Sequence, residues 1–184
     1  MAPELVSSFT PTSTYHVFLS FSEDTSKTFS DHLYEALHLA GFRTFLREEG
    51  IEIGEKIDFE LEKAIQNSRI SIVVFSKDYA SSTQCLDELL IILRRTVASE
   101  RHVMPVFYDV DPSEVRNLRG SVKEALKMHE ERFQSEASEN KIEWMDKIKA
   151  WKTALTEIAN LAGLNLGNQA DGCKFSRTEF GKSS

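Results

Sequence analysis

The sequence predicts an α/β protein with a parallel, doubly wound sheet flanked by helices. Two observations support this fold class. Short apolar segments rich in β-branched residues, such as residues 70–75, are typical of strands that helices cover on both faces. These segments alternate along the chain with longer stretches in which apolar residues recur at helical spacing. Alternation of this kind is typical of a parallel sheet.

Four segments predict strands because they are short, apolar and rich in β-branched or aromatic residues. They are residues 15–21, 44–46, 70–75 and 103–108. Pro105 argues against a central place for the fourth strand, since proline cannot donate a ladder hydrogen bond. Residues 109–113 follow this strand and predict a turn.

Helices are predicted where apolar residues recur at helical spacing. They cover residues 25–40, 57–65, 86–97, 121–133 and 143–162. Gly41 provides the stop for the first of them. Residues 1–13 predict a flexible leader, and residues 168–184 predict a disordered tail, because neither segment has an apolar pattern.

Composition narrows the classes of function. The 184 residues, 41% hydrophobic and 28% charged, suit one domain, and a net charge of -7 argues against a nucleic-acid partner. Cys85 and Cys173 are far apart, so we expect no disulfide framework and no metal site. No apolar run approaches the ~20 residues that cross a bilayer, so we expect no membrane partner. The sequence predicts a soluble protein of the cytoplasm, with the nucleus as a second compartment.

Residues 81–90 carry two adjacent carboxylates, Asp87 and Glu88, in the predicted first turn of a helix. Ligands of open α/β sheets bind beyond the carboxyl ends of the strands, so residues 76–88 are expected to line a cleft. Two interpretations of Glu88 stay open, since a helical wheel places it nearly opposite a leucine stripe. It is either a solvated surface residue or a catalytic carboxylate. Asp87 is better explained as a partner of the helix dipole.

Six segments together resemble the Toll/interleukin-1 receptor (TIR) domain of plant intracellular immune receptors. They are residues 15–21, 23–29, 54–57, 68–70, 85–89 and 105–113. The resemblance implies a TIR domain over residues 14–167 with a flavodoxin-like, three-layer fold and a five-stranded parallel sheet. It also implies an edge strand at residues 164–166. The chain has no phosphate loop or leucine-rich repeats, so we expect either a TIR-only protein or part of a longer one.

The resemblance implies a plant innate-immune signalling domain that self-associates and hydrolyses NAD+. Products would be nicotinamide and ADP-ribose-type compounds, and the outcome would be defence or cell death. Glu88 is the implied catalytic residue; NAD+ is a substrate, and no cofactor is implied. The implied substrate-binding residues are Phe21, Ser22, Glu23, Asp24, Thr25, Gly54 and Cys85. Implied partners are other TIR domains, of the same or another chain, and a resistance receptor.

Two departures from the family pattern keep a second function open. The usual F-R-G-E-D-T-R after the first strand is here F-S-E-D-T-S from Phe21, one residue shorter and without arginine or glycine. Gln84 stands where the family generally has tryptophan. Losing the arginines removes charge-assisted hydrogen bonds to phosphate. The alternative is therefore a catalytically weak or inactive module for TIR–TIR interaction.

The resemblance implies a self-association surface made by the first and last helices, with Asp31, His32 and Trp151 as candidate residues. Asp31 stands where many plant members have serine, and its charge near a symmetry axis would weaken a homotypic contact or demand a basic partner. Ordinary surface polarity is the alternative for this aspartate. Phe45 is expected in the core. Gly54 is expected to form a turn, with close approach to a ligand as its second interpretation.

Overall fold

The structure is a computed structural model that describes residues 15–25, 29–46, 57–99, 101–135 and 140–166. Five parallel strands form one sheet in the order β2-β1-β3-β4-β5. They are β1 (Tyr15–Ser20), β2 (Thr44–Phe45), β3 (Ser68–Phe75), β4 (His102–Phe107) and β5 (Leu164–Asn165). The predicted parallel sheet is confirmed, and so is its edge strand β5. This strand order is the flavodoxin-like one, with the switch point between β1 and β3.

Seven helical segments surround the sheet in the part of the chain that the structure describes. They are the single turn α1 (Glu23–Thr25), α2 (Asp31–Leu39), α3 (Ile57–Gln66), α4 (Thr83–Ser99), α5 (Pro112–Arg116), α6 (Gly120–Ser135) and α7 (Lys141–Ala159). A short 3-10 turn, Tyr79–Ser81, precedes α4. The five long helices were all predicted, and most of their ends differ by a few residues; the exception is α2, which begins at Asp31 rather than at Thr25, since Thr25 belongs to α1. Residues 1–13 and 168–184 lie outside the described residues.

Helix α5 replaces part of the predicted turn at residues 109–113. It begins at Pro112, a favoured first residue of a helix, because Asp111 Oδ1 accepts a hydrogen bond of 2.7 Å from the Ser113 backbone N–H. Hydrogen bonds from the Ser113 hydroxyl and backbone hold the pKa of Asp111 below its ordinary value. The residues typical of a turn are therefore present, and here they form the N-terminus of a helix.

The two faces of the sheet are covered by different helices. Side chains of α2, Leu33 and Leu37, pack on one face against Val17 and Leu19 of β1. Helices α3 to α7 pack on the other face. Right-handed crossovers explain this division, because the chain moves in one direction from β1 to β2 and in the other direction at every later step. Phe45 lies in the core as predicted, stacked on Phe18.

Pro105 lies within β4, which has a neighbour on each side. The Leu166 N–H donates to Phe107 O at 2.9 Å, so Phe107 presents its backbone groups toward β5. Alternate residues of a parallel strand point the same way, so Pro105 also faces β5. Because β5 begins opposite Val106, the missing N–H of Pro105 costs no ladder bond. The proline is compatible with an inner strand for this reason.

Helix α4 begins at Thr83, earlier than predicted. The Ser82 hydroxyl accepts a hydrogen bond from the Cys85 backbone N–H at 3.2 Å and caps the helix. Asp87 and Glu88 consequently lie beyond the first turn, and the prediction that places them in it is wrong. Asp87 is therefore not explained by the helix dipole, which acts within the first turn.

Candidate functional site

The candidate site lies where β1 and β3 end and α4 begins. Glu88 is fully buried, and its Oε2 atom lies 2.7 Å from Ser20 Oγ at the end of β1. Ser20 Oγ in turn lies 2.9 Å from the Tyr79 hydroxyl. The interpretation of Glu88 as a solvated surface residue is therefore wrong. Its side of α4 is enclosed by the end of β1 and by the 3-10 turn, while the leucines pack elsewhere in the core.

Two further contacts join the loop after β1 to its neighbours. The buried Cys85 thiol donates to Phe21 O at 3.3 Å, one helical turn before Glu88. The Ser22 and Ser76 hydroxyls lie 3.0 Å apart, and both are buried. Ser76 directly follows β3. The structure thus brings Phe21, Ser22 and Cys85 to the same edge of the sheet as Glu88.

Thr25 belongs to the same loop and stabilises it from within. Its hydroxyl donates to Ser22 O at 3.0 Å, and Ser30 donates to the Thr25 hydroxyl at 3.1 Å. Glu23 is exposed on α1. Asp24 contributes backbone to α1, and its side chain lies outside the described structure, as does the whole of Gly54. These two positions stay predictions.

Sequence reasoning missed Ser20, and it placed Ser76 and Tyr79 in the segment that lines the cleft without assigning a role to their hydroxyl groups. All three are buried. A signal was available for Ser20 and Ser76, since each is a polar residue at the end of an apolar strand and therefore needs a partner. Tyr79 carries a weaker signal, because a tyrosine after a strand serves as readily in packing.

The predicted self-association residues lie in different places. Asp31 and His32 are exposed at the start of α2. Trp151 is fully buried in α7, where its indole N–H donates to Asp87. Since α2 and α7 pack on opposite faces of the sheet, they form no common surface, and Trp151 cannot contact a second molecule in this conformation. That part of the prediction is corrected by the structure.

The structure also bears on the predictions about Gln84, metal ions and membrane-spanning helices. Gln84 is exposed on the outer side of α4, so it introduces no buried polar group where the family has tryptophan. Among the described residues, no group of three or more His, Cys, Asp or Glu side chains could hold a metal ion. No helix in those ranges is both long and apolar enough to cross a membrane.

Comparison with known proteins gives consistent matches. A family model described as "TIR domain" matches residues 14–178. The chain is 49% identical over 156 residues to "Disease resistance protein RPV1" of Vitis rotundifolia, covering 84% of this chain and 10% of that protein. It is 45% identical over 150 residues to "TMV resistance protein N" of Nicotiana glutinosa, covering 81% and 12%. The chain thus spans about a tenth of the length of these relatives.

A solved structure is also similar. Its title is "Structure of the activated Roq1 resistosome directly recognizing the pathogen effector XopQ (TIR domains)". The sequence identity is 44% and the TM-score 0.75, covering 87% of this chain and 92% of that one. The flavodoxin-like fold, a five-stranded parallel sheet between helices, is therefore shared with a solved chain of clear sequence similarity.

Proposed function

Because the chain belongs to the TIR domain family, we propose that it is an immune-signalling domain that cleaves NAD+ at the bond between nicotinamide and ribose. One observation carries the proposal. The Glu88 carboxyl lies beyond the carboxyl ends of β1 and β3, the switch point of the sheet, and is held there by Ser20. Phe21, Ser22 and Cys85 share this edge. Carboxyl groups that are enclosed at such positions are candidates for chemistry.

Cleavage of this N-glycosidic bond requires one carboxylate near the ribose. As the N-glycosidic bond breaks, its electron pair moves to the nicotinamide ring, which leaves as a neutral molecule. Positive charge builds on the ribose, and a carboxylate at Glu88 stabilises that oxocarbenium-like state. Water then adds to the ribose and loses a proton. No strong general acid is required, which suits a site where the described neighbours of Glu88 include hydroxyls and a thiol.

Assembly is the second part of the proposal. The similar solved structure is titled as an activated resistosome with its TIR domains. We extend this to the present chain and propose that it acts in contact with other TIR domains, alone or as part of a resistance receptor. Asp31 and His32, exposed on α2, are the proposed contact residues. The enclosure of Glu88 supports low activity of the isolated domain, because NAD+ needs access to the carboxyl.

A non-enzymatic TIR–TIR interaction module is the competing function, and two observations favour it. Glu88 has no exposed surface in this conformation. Ser22 stands where the family pattern has arginine, and its hydroxyl is within hydrogen-bond distance of Ser76 rather than available to phosphate. A module of this kind would keep the fold and the α2 surface while losing the reaction.

The deciding experiment is an NAD+ turnover assay on the chain fused to an oligomerising helix, beside the same fusion of Glu88→Ala. We expect nicotinamide release that falls by about a hundredfold or more in the variant, as is typical when a group that stabilises transition-state charge is removed. Asp87→Asn is the matched control, since it removes the neighbouring charge and should retain turnover. Equal background from all three proteins would favour the interaction module.

A further inference from the structure

An ion pair joins the loops that follow the neighbouring strands β3 and β4. Lys77 Nζ lies 3.0 Å from Asp109 Oδ2. Each residue stands two positions after the last residue of its strand, Phe75 or Phe107, and the rings of these two phenylalanines stack with centroids 5.5 Å apart. The ion pair therefore lies beyond the carboxyl ends of the strands, the edge at which open α/β sheets bind their ligands.

Asp109 is held in an unusual backbone conformation. Its φ is 52°, in the left-handed region that residues with a Cβ atom adopt rarely. Residues before and after it are fixed, since the Tyr108 N–H donates to Phe75 O at 2.9 Å and Asp111 caps α5. Left-handed residues that their surroundings hold in place are frequent at ligand sites. The loop after β4 thus presents the Asp109 carboxylate to Lys77 from a fixed backbone position.

Lys77 is adjacent to the part of the site where the arginine of the family pattern is missing. The Ser76 hydroxyl lies 3.0 Å from the Ser22 hydroxyl, and Ser22 stands where that pattern has arginine. Lys77 directly follows Ser76. Its ammonium group is carried by a flexible four-carbon stem, so it can turn from the loop after β4 toward the loop after β1.

The charge of Lys77 is unusual for its position. In the described segments that directly follow the strands, residues 21–25, 46, 76–82, 108–111 and 166, it is the single lysine or arginine. The acidic residues of the same segments are Glu23, Asp24, Asp78, Asp109 and Asp111. An edge with this balance repels a diphosphate, and an ammonium group among the carboxylates offsets part of the repulsion. Within these segments, Lys77 is the residue suited to bind a phosphate oxygen.

We propose that Lys77 binds the diphosphate of NAD+ and that Asp109 is its counter-ion in the resting protein. The inference rests on the proposed function, because it assigns a substrate contact to the same site. When the dinucleotide binds, its diphosphate takes the place of the Asp109 carboxylate beside the ammonium group. The two side chains are 62% and 43% exposed, and an ion pair so accessible to water contributes little to stability, so this exchange is easy.

Isothermal titration calorimetry with ADP-ribose tests the proposal without turnover, because this probe carries the same diphosphate and has no nicotinamide to lose. The protein is the full chain fused to an oligomerising helix. Lys77→Gln should raise the dissociation constant by about tenfold, the lower end of what a hydrogen bond to a charged group contributes. Asp109→Asn should lower it by about two- to threefold, because the competing carboxylate is gone and asparagine also tolerates the left-handed backbone. A gain in affinity cannot come from misfolding.

Arg69→Gln is the matched control, because Arg69 is exposed at the opposite end of β3 and the change removes the same charge. It should leave the dissociation constant unchanged. Equal effects of Lys77→Gln and Arg69→Gln would show that net charge alone acts on the ligand, and would overturn the proposal. Asp109→Asn protein that binds ADP-ribose no more tightly than the unaltered protein would overturn it too, as would undetectable binding by every protein.

Steady-state kinetics of NAD+ cleavage provide the second readout. Lys77→Gln should raise KM by about tenfold and change kcat by less than about twofold, since a contact that is equal in the ground state and the transition state affects KM alone. A fall in kcat at unchanged KM would overturn the assigned role. Loss of turnover in every protein, together with ADP-ribose binding that depends on Lys77, would instead count against the proposed cleavage alone.

Discussion

The indole nitrogen of Trp151 donates a 2.9 Å hydrogen bond to Asp87 Oδ1 and so joins α7 to the helix that carries the adjacent Glu88. Lys147 Nζ donates to the other oxygen of the same carboxylate, also at 2.9 Å. The Lys147 ammonium group lies 5.3 Å from the centre of the Trp151 ring. Asp87 thus positions α4 through two donors from α7, which leaves Glu88 to face the end of β1.

We expect the Trp151–Asp87 bond to contribute about 1 kcal/mol to the free energy of unfolding, the usual value for a hydrogen bond of this kind. A double-mutant cycle with Trp151→Phe and Asp87→Ala, followed by urea unfolding, measures it. Trp151→Phe alone should cost more than the coupling energy, because the smaller ring also leaves a cavity in a fully buried site.

Lys147→Met is the control for this cycle. It keeps an unbranched apolar chain over the tryptophan ring and removes the ion pair, which is half exposed and should contribute little. If Trp151→Phe costs the same free energy with and without Asp87, the hydrogen bond does not stabilise the contact between α4 and α7.

The pair Asp87 and Glu88 shows how far sequence reasoning extends. The strand before them and the helix that carries them follow from local patterns, and so does the idea that a carboxylate at the sheet edge has a chemical role. Their partners do not follow. Ser20 is 68 residues from Glu88, and Trp151 is 64 residues from Asp87. Which neighbour faces the end of β1 and which faces α7 depends on how the helices pack.

Helix α2 and Trp151 also show that sequence patterns predict helices without predicting where these helices pack. Periodicity predicts both helices, and it predicts Trp151 on an apolar stripe. It does not say that α2 packs on one face of the sheet and α7 on the other. That division depends on the strand order, which places β2 and β3 on opposite sides of β1. The resemblance implies a shared surface, and the handedness of the crossovers separates its two parts.

Gly163 should be the most sensitive glycine of the described residues. A Cβ atom there would lie 2.1 Å from Pro105 O and 2.6 Å from Pro105 Cγ, so Gly163→Ala would push β5 away from β4. We expect a loss of roughly 1–3 kcal/mol or more in urea unfolding, as for overpacked cores. Gly41→Ala is the comparison, because Gly41 has open space and a φ of 85°.

Gly41→Ala should lower the free energy of unfolding only because alanine is strained in the left-handed backbone conformation, by roughly 1–2 kcal/mol. If Gly163→Ala lowered the free energy of unfolding less than Gly41→Ala does, β5 would have to move away from β4 at little cost.

The proposed α2 contact makes an electrostatic prediction. Asp31 is exposed in the first turn of α2, and in a symmetric contact two copies of its carboxylate approach each other. Asp31→Ser removes that repulsion, so the dissociation constant of self-association should fall by about two- to fivefold. This range corresponds to a few tenths to about 1 kcal/mol of binding free energy, the usual effect of solvent-exposed charges. Analytical ultracentrifugation over a concentration series measures the change, and added salt should reduce the difference between the two proteins.

Glu124→Gln removes one acidic charge from α6, across the sheet, and controls for net charge. Equal tightening by both variants would show that overall charge, rather than the α2 surface, limits association.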